Sequence, residues 1–226
     1  MNLSRLGNEA IINQNNFFLK FYYLLQIDNT NYFICVSLCY YNFTANALNN
    51  LHLAPISSNF FLIGFMGSGK SHWGKIWASA HNKSFVDLDE VIELKEGKTI
   101  ADIFELKGET YFREIETLAL KSCYNLNDTI IACGGGTPCF FDNMQWMNTN
   151  GNTIYIRCTV TEILDRVLSE KEKRPLLKKL NQGELLFFIE QKLKEREVFY
   201  SQAKLTVQSI DLTADHFSTH IIPAFK

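Results

Sequence analysis

FFLIGFMGSGKS, residues 60–71, passes from an apolar run into three glycines, a lysine and a serine within eight positions. The run from Asn59 to Gly64 reads as a buried strand, and the residues from Lys70 to about His81 read as a helix. Between them, Gly64-Phe65-Met66-Gly67-Ser68-Gly69-Lys70-Ser71 satisfies G-x-x-x-x-G-K-[ST] in full. Glycines let backbone N–H groups turn inward around phosphate oxygens, where a Cβ would obstruct the approach. The helix that follows adds the positive end of its dipole. Lys70 can reach the β and γ phosphates, and the Ser71 hydroxyl can join the shell of a magnesium ion. The expectation is a nucleoside triphosphate held by Gly64, Gly67, Ser68, Gly69, Lys70 and Ser71, with His72 beside them.

Downstream of this loop, short apolar runs alternate with amphipathic stretches. Strands are expected at KSFVDLD (83–89), DTIIACGGG (128–136, running into glycines), NTIYIRC (152–158) and AKLTV (203–207). Helices are expected over 99–108, 109–123, 161–170 and 183–202. This alternation predicts an α/β fold around a mostly parallel sheet. Residues 1–58 differ. They contain eleven asparagines and four charged residues (Arg5, Glu9, Lys20 and Asp28) between aromatic clusters such as FFLKFYYLL. They are expected to form a poorly ordered or loosely packed extension. A stretch upstream of the functional protein and a packing or partner element are the alternatives. The apolar runs are shorter than the 18 or so residues of a membrane span.

Bulk properties narrow the function further. The formal net charge of −2 gives no reason to expect a nucleic-acid partner. Six cysteines with no C-x-x-C pair argue against a zinc site or a disulfide scaffold and suit a reducing, cytoplasmic setting. No N-K-x-D guanine signal is present, and the body is small for a motor, so a metabolite kinase fits best.

Several residues beyond the loop suggest the chemistry. Asp87 and Asp89, read as the end of the second strand, fall on one side by period-2 alternation. Strand-end carboxylates at a phosphate crevice can hold a metal's water or orient an attacking hydroxyl. Gly134, Gly135 and Gly136 allow a ligand to approach backbone closely. Of six arginines, Arg113, Arg166, Arg174 and Arg196 sit in or beside helices and suit carboxylate or phosphate recognition. The polar stretch before Pro175 reads as a small lid, about 169–176.

GFMGSGKS, FVDLD, IADIFELKGETYFREIE, GGGT, KRPLL and REVFY, in this order over about Asn59–Gln208, closely resemble the shikimate kinase family. That resemblance implies a three-layer P-loop kinase fold over 59–226, with a five-stranded parallel sheet in the order 2-3-1-4-5. It implies γ-phosphoryl transfer from ATP, with Mg²⁺, to the 3-hydroxyl of shikimate, a step toward chorismate and the aromatic amino acids. By the same resemblance Asp87, with Ser71, serves the metal, and Asp89 is the substrate-binding aspartate and candidate base. Arg113 and Arg196 grip the substrate carboxylate, and Glu116 supports that pocket, with Phe104 and Phe112 as its apolar wall. Gly134 to Gly136 adjoin the substrate. Arg174 lies by the transferred phosphate and acts with Lys70 and Asp89 in catalysis, while Arg166 lies on adenine. It implies a monomer acting on a small molecule, with no nucleic-acid or membrane partner. Two departures are visible. His72 stands where many members have threonine, and Val198 stands in place of the proline in R-x-P-L-Y. A kinase of another small acid such as gluconate, and a nucleotide-binding regulatory protein without turnover, are the competing readings.

Overall fold

The computed structural model describes residues 3–13, 16–27, 30–36, 59–169 and 181–225. The chain divides into two units, Met1–Leu53 and Ala54–Lys226. In the first, strands β1 (Leu3–Asn13), β2 (Asn16–Ile27) and β3 (Thr30–Val36) form an antiparallel sheet in sequence order, with a register shift between Arg5 and Gly7.

The second unit is built on five parallel strands: β4 (Phe60–Ile63), β5 (Ser84–Asp87), β6 (Thr129–Ala132), β7 (Asn152–Arg157) and β8 (Leu205–Gln208). They lie in the order β5-β6-β4-β7-β8, which is 2-3-1-4-5 when counted within this unit. The central strand β4 is buried throughout, so neither face can be polar and the strand reads as a continuous apolar run. Its alternation still sorts side chains to two cores. Phe61 and Ile63 face one core with Ile131 and Tyr155, and Phe60 and Leu62 face the other with Ile130, Ile154 and Ile156.

Helices cover both faces: α1 (Lys70–Ala80), α2 (Leu88–Glu96), α3 (Ile100–Ser122), α4 (Asn143–Asn150), α5 (Val160–Ser169) and α6 (Gln182–Tyr200). The two helical stretches expected over 99–123 form α3, interrupted at Gly108, whose φ of 79° and ψ of 175° break the ladder. Thr99 and Asp102 form a capping box at its start, and Asn181 with Glu184 forms one on α6. On the other face, Trp73 stacks on Trp77 at 5.8 Å, and Trp77 on Phe217 at 5.6 Å, which carries the aromatic packing from α1 to the C-terminal π turn Phe217–Ile221.

The sheet and α1 touch at Gly74, where an added Cβ would stand 2.5 Å from Phe85 Cε2 and 3.2 Å from Leu62 Cδ1. This close approach fixes the start of α1 against the end of β4 and so sets the phosphate loop. Gly74→Val is expected to destabilise the fold by about 1–3 kcal/mol through overpacking. A lower urea midpoint with unchanged slope is the expected readout, and an unchanged midpoint would show that α1 can retreat freely.

Candidate active site

At the carboxyl end of β4 the chain leaves the sheet at Gly64, with φ of 144°, and winds through Gly67 and Gly69, at φ of 75° and 93°. A Cβ on Gly64 would strike the Ile156 carbonyl oxygen at 2.6 Å, so the turn requires glycine on both counts. Gly69 caps α1 in a left-handed conformation. No side chain caps this end and the first turn has no acidic residue. The helix N-terminus therefore keeps its N–H groups for an anion. Lys70 is buried and folds over its own loop, donating to the Gly64 and Phe65 carbonyls, both at 2.9 Å, and to Ser68 Oγ at 3.4 Å. Burial lowers its pKa to about 8, partly opposed by the nearby Asp89 carboxylate.

Asp87 ends β5, and here the structure corrects the strand reading of Asp87 and Asp89. The Asp87 side chain accepts the Asp89 N–H at 3.0 Å and thereby caps α2, which begins at Leu88. Asp89 thus sits in the first helical turn rather than two places along a strand. The two carboxylates still line one cleft, because a helix entered directly from a strand end projects its first turn over that end. The other Asp87 oxygen accepts from Ser71 Oγ at 2.5 Å, which brings a hydroxyl and a carboxylate together. Asp89 opens to the cleft, but protein on its other sides, with the Asp87 and Glu116 carboxylates, raises its pKa to about 6.

Gly134, Gly135 and Gly136 follow β6 and lie among these groups. An added Cβ on Gly134 would stand 2.6 Å from Glu116 Oε1 and 3.2 Å from Asp89 Oδ1. On Gly135 it would meet Arg196 Nη1 at 3.4 Å, and on Gly136 it would meet Arg113 Nη1 at 2.6 Å. Arg113 is buried. It donates to Glu116 at 2.9 Å and to Glu109 at 2.9 and 3.2 Å, and its guanidinium lies over the Phe140 ring at 4.2 Å. Phe104 and Phe112 pack together at 4.5 Å beside it. Arg196 rests over Phe65, and Tyr200, one turn further along α6, donates to the Gly135 carbonyl at 2.5 Å.

On the far side of the loop, Arg166 donates to the Gly67 carbonyl at 3.0 Å and reaches Ser209 Oγ at 3.4 Å and Glu162 at 3.5 Å. His72 lines the same cleft, edge-on to Trp73. The cleft encloses about 670 Å³, from Trp73 and Arg166 at one end to Asp89 and Gly135 at the other. Ser169, where the expected lid of about 169–176 begins, ends α5, and Arg174 with the rest of that stretch lies outside the described residues.

A family profile described as shikimate kinase matches residues 66–226. The chain belongs to the shikimate kinase family. A curated shikimate kinase of Parabacteroides distasonis is 43% identical over 146 residues, which span 65% of this chain and 84% of the relative. One from Azobacteroides pseudotrichonymphae is 39% identical over 164 residues, or 72% and 96% of the two chains. The crystal structure of shikimate kinase from Bacteroides thetaiotaomicron has a TM-score of 0.66 and 38% identity, covering 68% of this chain and 88% of its own. The shikimate kinase of Acinetobacter baumannii, solved in complex with shikimate, has a TM-score of 0.65 and 31% identity, covering 74% and 92%.

In this member of the shikimate kinase family, several cleft residues escape motif reading. Ser209 follows β8 within QSIDLTADHF and donates to Glu162 Oε1 at 2.5 Å, completing a bridge to Arg166. No local pattern marks it, because its position depends on where β8 ends. Trp73 likewise lines the cleft two residues past the phosphate-loop motif without belonging to a pattern.

The raised pKa of Asp89 carries a sign. Its carboxylate is more costly to ionise in the folded chain than in the unfolded one, so its contribution to stability falls as pH rises from about 4 through 6. Asp89→Asn is therefore expected to raise Tm at pH 7 while removing activity, with the gain gone below pH 4 because the parent side chain is then neutral as well. Equal Tm differences at pH 7 and pH 4 would contradict this origin.

Proposed function

We propose that the chain transfers the γ-phosphoryl group of ATP to the 3-hydroxyl of shikimate, giving shikimate 3-phosphate and ADP, in the synthesis of chorismate and the aromatic amino acids. The observation that carries this reading is the meeting of Asp89, Arg113 and Arg196 on one glycine turn beside the phosphate loop. Two guanidiniums suit a carboxylate, a carboxylate suits hydroxyls, and bare backbone lets a small ring come close. The relative solved with shikimate supports the choice of acid. The same reading makes the protein a cytoplasmic monomer acting on small molecules.

In this mechanism, Lys70 exchanges its loop carbonyls for the β and γ phosphates, while the backbone N–H groups of Gly67 to Ser71 surround them. Ser71 and Asp87 would hold Mg²⁺; a hydroxyl and a carboxylate oxygen already in contact fit a small cation that prefers oxygen donors and retains water. Bound there, Mg²⁺ supplies charge neutralisation on the phosphate oxygens. Asp89 accepts a hydrogen bond from the acceptor hydroxyl. With a pKa of about 6 it is mostly ionised at neutral pH and can take the proton as the phosphoryl group departs. Little base strength is needed, since phosphoryl transfer rests mainly on alignment and charge stabilisation. Glu116 holds Arg113, and Arg113 and Arg196 hold the substrate carboxylate. Arg166 offers a planar face to adenine at the opposite end of the cleft, and Arg174 from the lid completes the charge balance at the phosphate.

An assay with Mg·ATP and a panel of shikimate, gluconate and nucleoside monophosphates tests this, with turnover expected on shikimate alone. Turnover on gluconate would change the substrate, and ATP binding without turnover on any acceptor would favour a regulatory protein. Lys70→Ala is expected to lower kcat by about a hundredfold or more, because the phosphate charge loses its partner. Steady-state rates near those of the parent would refute that role. Separately, Arg113→Ala is expected to raise the Kd for shikimate by about tenfold or more while leaving ATP affinity unaltered. Equal losses for both ligands in calorimetric titrations would show that Arg113 is not a carboxylate clamp.

A further inference from the structure

Glu116 is almost completely enclosed, at 1% exposure, so both of its carboxylate oxygens need partners. Oε2 accepts from Arg113 Nη1 at 2.9 Å. Oε1 accepts from Thr137 Oγ1 at 2.6 Å. Thr137 is itself fully buried and starts the 3-10 turn that follows the glycines. Its N–H donates to the Gly134 carbonyl at 3.2 Å, and its carbonyl accepts from Asn143 Nδ2 at 3.0 Å. The same Asn143 nitrogen reaches Thr117 Oγ1, also at 3.0 Å, on the residue after Glu116 in α3. Thr137 therefore lies where the glycine turn is tied to the helix that carries Arg113.

The donor count on Arg113 shows what this tie does. A guanidinium has five N–H groups. Nε and Nη2 each give one to Glu109, and Nη1 gives one to Glu116, which leaves one on each terminal nitrogen. One N–H on each terminal nitrogen is thus left for a carboxylate, and where they point depends on the plane of the guanidinium being held still. Glu109 is largely exposed and cannot hold it firmly. The buried Glu116 can, but only while its own rotation is fixed, and the Thr137 hydroxyl fixes it.

We propose that Thr137 is a positioning residue for the acid substrate, acting through Glu116 to aim Arg113, and that it sets the affinity of the pocket for a carboxylate. This rests on the reading of Arg113 as the carboxylate clamp. Thr137 has no contact with the phosphate loop in this scheme, so its effect belongs to shikimate and not to the nucleotide. Removing the hydroxyl while keeping its volume leaves Glu116 Oε1 buried without a donor, and the carboxylate then turns in search of one and no longer holds Arg113 in plane.

The test uses the full chain and calorimetric titration of shikimate and of ATP separately. Thr137→Val is expected to raise the Kd for shikimate about tenfold, the order expected from orphaning one buried acceptor. ATP affinity, which also certifies that the variant is folded, is expected to stay within about twofold, as for sites that share no partner. Thr137→Ser restores the hydroxyl and is expected to recover most of the loss. In an Arg113→Ala background, Thr137→Val should add nothing further for shikimate. The proposal is overturned by an unchanged shikimate Kd in Thr137→Val, by equal weakening of both ligands, by failure of Thr137→Ser to recover binding, or by a loss that persists undiminished without Arg113. If Arg113→Ala alone leaves shikimate binding intact, the clamp reading itself fails, an outcome distinct from a silent Thr137 beside an effective Arg113.

Discussion

Gly134 and Gly136 leave no room for a methyl group, because the space a Cβ would take is already claimed by Glu116 on one side and Arg113 on the other. Charged side chains press directly against main chain. This arrangement needs bare backbone at the end of β6, next to the equally bare Gly64 at the end of β4, and the parallel pairing of these two strands supplies it. From that contact, the remaining groups fall into place. Asp89 reaches the glycines from the first turn of α2, Arg196 and Tyr200 reach them from α6, and Lys70 closes the adjoining loop from α1. Four helices and two strands thus converge on a few atoms of main chain.

The electrostatics follow from the same crowding. Burial lowers Lys70 to about 8 and raises Asp89 to about 6, the neighbouring Asp87 and Glu116 charges adding to the rise at Asp89, while Lys70 and Asp89 each partly sustain the other's charge. An incoming polyphosphate brings charge that Lys70 can answer, and an incoming hydroxyl gives Asp89 a donor. Arg113 differs from both, since Glu109 and Glu116 already balance its charge.

Much of this was legible beforehand. The G-x-x-x-x-G-K-S run, the five strands and the glycine triplet are local patterns, and local geometry sufficed for them. Asp89 was placed by alternation along a strand that ends two residues earlier, because the Asp87 cap, a side-chain to backbone bond, turns the chain into helix at Leu88. Helix α4 carries no local signal, because NMQWMNTN is rich in asparagine and has weak helical preference, and tertiary packing of Met144 and Met147 holds it. Ser209 has no local mark, and Thr137, though it closes GGGT, gives no local sign of its role, because each bonds a partner far away in sequence, Glu162 for one and Glu116 for the other.

The stack of Trp73, Trp77 and Phe217 reaches from the wall of the cleft to the π turn Phe217–Ile221. Of the chain's three tryptophans, two belong to it, and the third, Trp146, packs on the opposite face against Phe61. Two of the three indoles therefore stand at the rim of the nucleotide cleft and directly behind it. Part of the chain's ultraviolet emission thus originates in the wall of that cleft, with no dye attached.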